Sequence, residues 1–152
     1  MKVLRITAAV YVFHFWDYLS KSLSLISDKS REPFDEDFVR KTLIHLAVDH
    51  EHAWVGLTLD NMGQPVSFCC VQECTPMFST ERYFVVRWFY HTPGQFEATL
   101  VLMQGFEEWA KANGISHYAV TTRRSAGEAI KCFQSSRYGF KKAFLTFEKQ
   151  LS

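Results

Sequence analysis

Apolar and polar residues alternate along this chain with two periods, near two and near 3.6, and the changes between them mark the elements. Residues 2–7 alternate and predict a short first strand. Over residues 11–26 the apolar positions Val12, Phe15, Trp16, Leu19, Leu23 and Ile26 recur at helical spacing. The polar stretch 27–33, closed by Pro33, reads as a loop. Asp35 then suits the N-cap of a second helix, whose apolar stripe opens at Phe38 and continues through Leu43, Leu46 and Ala47.

The middle of the chain is strand-rich. Residues 53–59 alternate, Asp60-Asn61-Met62-Gly63 is a turn signal, and a hairpin to residues 65–74 follows. Residues 81–91 (ERYFVVRWFYH) are almost continuously apolar, as expected of a strand covered on both faces in the middle of a sheet. Thr92-Pro93-Gly94 breaks that strand. Residues 97–113 carry Ala98, Leu102, Phe106, Trp109 and Ala110 on one helical face, and Asn113-Gly114 is the stop. A strand over 115–122, a short helix to about residue 136 and a last strand over 141–149 complete the order β-α-α-β-β-β-α-β-α-β. Strand, helix and strand over 83–122 form a right-handed βαβ unit with parallel neighbours. Ligands of such sheets bind beyond the carboxyl ends of the strands, beside helix N-termini, which points to residues 91–99.

Composition narrows the function classes. The chain has 152 residues, a length that suits one domain over 1–152, and 47% apolar residues supply its core. Seventeen basic residues against sixteen acidic ones leave no field for steering nucleic acid, and Arg123-Arg124 reads as a solvated turn. The apolar N-terminal run is broken by His14 and Asp17, and no window suits a membrane span, so neither nucleic acid nor membrane is an expected partner. The expected place of work is the cytoplasm. Cys69, Cys70, Cys74 and Cys132 read as structural thiols, because adjacent strand residues 69 and 70 face opposite ways and cannot share a metal. His50-Glu51-His52 lacks a third ligand nearby and the spacing of a zinc helix, so no metal is expected. Phe13, Trp16 and Tyr18 are candidates for a partner-binding face, with most of them expected in the core.

Three local motifs add to this order. They are the helix end Phe106-Glu-Glu-Trp109-Ala-Lys-Ala-Asn-Gly114, the strand after it, and Arg137-Tyr138-Gly139-Phe140-Lys141 followed by Phe147-Glu148-Lys149. Together they resemble the GNAT N-acetyltransferases over nearly the whole chain, with an ending similar to short phage-encoded GNAT-like proteins. The resemblance implies an α/β fold, a mixed central sheet of six or seven strands flanked by about four helices. It also implies acetyl-CoA as cofactor, lying across the loop before the main helix. The family's Arg/Gln-x-x-Gly-x-Gly/Ala consensus falls on Gly94-Gln95-Phe96-Glu97-Ala98-Thr99, with Gly94 at the basic or amide position, Glu97 at the first Gly and Thr99 at the second. Gln95 offers a side-chain donor if the register slips by one. Backbone groups of Trp88, Phe89 and Tyr90 would hold the pantetheine arm.

Acetyl transfer to an amine needs a base and an acid. Glu73, Tyr90 and His91 lie near strand ends as base candidates, and of these side-chain types an imidazole best suits proton transfer near neutrality. The family's acid tyrosine falls on Ser135, or on Phe133 with two residues inserted. Tyr138, one residue before Gly139, is the remaining acid candidate. The resemblance leaves two functions. One is an acetyl-CoA-dependent N-acetyltransferase acting on an amine of a small molecule or protein. The other is a catalytically degenerate GNAT-like binding or structural protein, a virion component or host-factor binder if phage-encoded. The pattern itself selects neither an acceptor nor an oligomeric state.

Overall fold

The computed structural model describes residues 1–30, 32–76, 79–121, 139–141 and 149. In chain order these form β1 (Lys2–Arg5), α1 (Ala9–His14), α2 (Trp16–Ser30), α3 (Glu36–Val48), β2 (Ala53–Leu59), β3 (Pro65–Cys74), β4 (Tyr83–His91), α4 (Phe96–Ala112) and β5 (His117–Val120). The strands lie side by side as β1-β2-β3-β4-β5. Neighbours are antiparallel as far as β4, and β5 runs parallel to β4 after the crossover through α4.

Local chemistry sets the boundaries. Asp35 caps α3, its carboxylate accepting from the Phe38 N–H at 3.1 Å. In the β2–β3 turn the Asp60 carboxylate accepts from the N–H groups of Met62 and Gln64, and Gly63 takes a φ of 77°. After α4, Gly114 takes a φ of 73° and the Asn113 side chain donates to the Trp109 carbonyl at 2.8 Å.

Two apolar layers bury the sheet. On one face Val12, Leu19, Leu23, Leu43 and Leu46 of α1–α3 pack on Val55, Leu57, Phe68 and Cys70. On the other, Leu102, Phe106 and Ala110 of α4 pack on Trp54, Cys69, Val71, Phe84 and Val86. Cys69 and Cys70 therefore do face opposite ways, and burial pushes both thiols up, Cys70 to about 12.

Several boundaries differ from the sequence pattern. The first helix is two, broken at Phe15, because α1 packs along α3 whereas α2 packs on β3 and β4. α2 runs through residues 27–30, expected as loop: polarity alone does not stop a helix, and the barrier is Pro33. Phe38 is 67% exposed and opens no stripe. Its place on α3 lies away from Leu43 and Ala47, since the helical period puts residues five apart on different faces. Five strands and four helices are described against six or seven and about four. The expected helix to residue 136 and residues 142–148 of the expected strand over 141–149 lie outside the described residues.

Candidate active site

β4 carries an irregularity in its pairing with β3. Its register with β3 runs Trp88↔Cys70 and then Val86↔Val71, so Arg87 is an extra residue without a partner on β3. This is a β-bulge, which bends the strand and re-aims the residues beyond it. In an unbroken strand Trp88 and Tyr90 would share the face of Val86. With Arg87 inserted, Trp88 joins the α1–α3 layer and Phe89 joins the α4 layer instead. Pairing with β5 stops at the same point: Tyr83, Phe84, Val85 and Val86 have partners there. Among the described residues no strand pair with β5 is seen beyond Val86, and the stretch from Trp88 to His91 together with the start of α4 is the candidate wedge.

α4 starts at the mouth of this wedge. Gly94, with a φ of 80°, turns the chain from β4 into the helix, and Gln95 is an N-cap whose side chain makes no capping bond. The first amides of a helix have no carbonyl within it to bond, and they carry the positive end of its dipole. Phe96 and Glu97 supply them here, whereas the Ala98 N–H is already used by the Gln95 carbonyl at 3.0 Å. The Glu97 side chain is exposed. Ala98 and Thr99 turn their side chains inward, both fully buried, and the Thr99 hydroxyl has no hydrogen-bond partner among the described residues.

His91 ends β4 with its ring 5.3 Å from that of Phe96, which ties the strand end to the helix start. Tyr90 meets Tyr18 of α2 at 6.0 Å between ring centres, and the Tyr18 hydroxyl shares a 3.3 Å hydrogen bond with Thr92. Burial pushes the Tyr18 phenol up to about 12, so it stays neutral at this mouth. Of the three aromatics considered for a partner face, Phe13 is exposed, whereas Trp16 and Tyr18 pack against the core. Tyr18 is a partner-face candidate from sequence, but its place beside β4 is not legible there, because the crossing of α2 over the sheet is not a local property.

The expected residues do not all converge. His91, Trp88, Phe89, Tyr90 and the turn from Gly94 to Thr99 lie together at the carboxyl end of β4. Glu73 does not: it pairs with Phe84 at the opposite end of the sheet, separated from His91 by the length of β4, roughly 23 Å at the usual strand rise. There Arg82 donates to its carboxylate at 3.0 Å, beside a cavity of about 430 Å³ lined also by His50, His52 and Asn113. That cavity is distant from the wedge, and Glu73 and Arg82 in it are already paired with each other. Tyr138, Ser135 and Phe133 lie outside the described residues.

No protein-family profile matches the chain, and no curated protein matches its sequence. Solved structures do match. A tetramutant of the BH1408 protein from Bacillus halodurans aligns over 99% of this chain and 100% of its own, with a TM-score of 0.74 at 15% identity. The ribosomal-protein-alanine N-acetyltransferase of Brucella melitensis biovar Abortus 2308 aligns over 99% and 100%, with a TM-score of 0.69 at 15% identity. The aminoglycoside 6'-N-acetyltransferase AAC(6')-Ih of Acinetobacter baumannii aligns over 99% of both chains, with a TM-score of 0.67 at 15% identity. With its sheet order, its crossover through α4 and these end-to-end matches, the chain has the fold of the GNAT acetyltransferases.

Proposed function

We propose that this chain is an acetyl-CoA-dependent N-acetyltransferase acting on an amine of a small molecule or protein. The reading rests above all on the wedge: a bulge at Arg87, pairing with β5 that ends at Val86, and the amino end of α4 at its mouth. The residues present fit the cofactor. An extended amide-bearing arm would lie beside backbone groups of Trp88, Phe89 and Tyr90 beyond Val86, as an added strand would. A pyrophosphate suits the free amides of Phe96 and Glu97 and the helix dipole. Gly94 leaves the approach clear, since a Cβ there would meet nothing within 4 Å. Ala98 and Thr99 offer no side chain to the ligand at this turn, because both are buried in the core. The cofactor, when bound, supplies an acetyl thioester.

His91 is the base of this proposal. It stands at the strand end beside α4 and takes the proton from the acceptor amine, a role for which imidazole is the usual side chain. Tyr18 and Tyr90 would wall the acceptor side. Tyr138 remains the acid proposed from sequence.

One observation favours a second reading, a GNAT-like binding protein without catalysis, a virion component or host-factor binder if phage-encoded. Glu97 sets an exposed carboxylate in the turn where a pyrophosphate would add negative charge. Thermal melting with acetyl-CoA separates the two readings, since ligand at 100 times its dissociation constant stabilises by about 2.7 kcal/mol. A rise in Tm together with thiol release on adding an amine supports the enzyme, and no shift at millimolar cofactor removes it. His91→Ala is expected to slow turnover by roughly a hundredfold, within the usual range for a general base, while leaving cofactor affinity near wild type. Full turnover in that variant would take His91 out of the mechanism.

A further inference from the structure

Thr58 and Ser67 are direct register partners across β2 and β3, and both are fully buried under α4. Buried hydroxyls usually bond locally, to a carbonyl four residues back in a helix or within a turn. These two instead reach one distant acceptor. Thr58 Oγ1 donates to the Ala98 carbonyl at 2.9 Å and Ser67 Oγ donates to the same oxygen at 3.0 Å, across 40 and 31 positions of sequence. Ala98 lies in the first turn of α4, whose N-cap makes no side-chain bond of its own. Ser67 is also the register partner of His91, so Thr58, Ser67 and His91 form one row across three strands beneath the start of the helix.

We propose that Thr58 and Ser67 are positioning residues for the anion-binding end of α4, a two-hydroxyl clamp that holds its first turn at the mouth of the β4 wedge. The proposal rests on the reading of that turn as the seat of the acetyl-CoA pyrophosphate. In a glycine-rich loop the close approach of backbone to phosphate is a property of the loop. Here only Gly94 gives such freedom, and the turn is fixed from below. The Ala98 carbonyl is gripped on the sheet side, so the amides of Phe96 and Glu97 keep one orientation at the opposite, outward end of the turn. Neither hydroxyl touches the ligand in this arrangement; both act through the helix.

The test uses the full chain with Thr58→Val, Ser67→Ala and their combination, and with Thr58→Ser and Ser67→Thr as conservative variants. Amide hydrogen exchange is followed over residues 96–99 without ligand, and acetyl-CoA affinity is measured by calorimetry at a temperature where circular dichroism shows each variant folded. The combined variant is expected to exchange faster at 96–99 than elsewhere and to bind acetyl-CoA about tenfold more weakly, the scale of one lost buried hydrogen bond. KM for the amine should stay at the wild-type value, and Thr58→Ser should restore affinity. A folded combined variant with wild-type exchange and affinity overturns the clamp. If that variant does not fold, the same comparison on Ser67→Ala decides. If the wild type itself binds no acetyl-CoA, the functional reading falls, and exchange at 96–99 still decides whether the hydroxyls position the turn.

Discussion

Deleting Arg87 separates the wedge from the rest of the fold. Without it, Trp88 comes directly after Val86 and faces Cys70, the partner it already has, while Phe89, Tyr90 and His91 keep both partners and faces. The core is therefore unchanged. The local loss is one exposed contact, from the Arg87 guanidinium to the Cys74 thiol at 3.5 Å. Stability should stay within about 1 kcal/mol of wild type, as for surface changes that leave packing intact. The straightened strand then lies free to extend its pairing toward β5. Alternate residues of 88–91 turn N–H and C=O groups to that edge, so two or three ligand hydrogen bonds of about 1 kcal/mol each are forfeited. That corresponds to a loss of acetyl-CoA affinity on the order of a hundredfold. Urea denaturation and calorimetric titration measure the two quantities side by side. Wild-type affinity in the deletion would refute the role of the bulge. Destabilisation well beyond about 3 kcal/mol, the upper end for an ordinary single change, would refute the register argument itself.

Gly94→Ala meets no neighbour, so its cost is that of holding a φ of 80° alone, about 1–2 kcal/mol by urea denaturation; no loss would mean the turn relaxes. Phe106→Ala removes a buried ring packed edge-on or tilted among Trp54, Phe84, Trp109 and Tyr118, and should cost about 3–5 kcal/mol, with a clear fall in Tm. The Asp49 carboxylate, bonded at 2.9 Å, raises His52 above its usual 6.5. While Asp49 is ionised, the stability this pair adds is complete below pH 6.5 and is lost as pH rises through the folded value of His52. His52 is fully exposed, so the effect is small. His52→Gln should abolish that part of the decline in Tm above pH 6.5, and an identical decline in both proteins would assign it elsewhere.

Periodicity alone carried much of the architecture. The hairpin over residues 53–74, the Asp35 cap, the helix ended by Asn113-Gly114 and the opposed Cys69 and Cys70 all arise from backbone geometry acting within a few residues. The turn around Gly94 was legible for the same reason. Features that depend on the strand across the sheet were not. The polar interruptions Arg87, Thr58 and Ser67 were visible as single letters in apolar runs, but whether such a letter is a bulge, a clamp or a surface residue depends on its partner strand. Glu73 and His91 both read as strand ends, and only the antiparallel pairing of β3 with β4 puts them at opposite edges of the domain. Tyr18 is one of three partner-face candidates, and only the packing of α2 on β4 sets it beside Tyr90 and Thr92. Sequence determined the elements, because their periods and caps are local. The site was decided in three dimensions, because register and crossing are set by side chains 31, 40 and 74 positions apart.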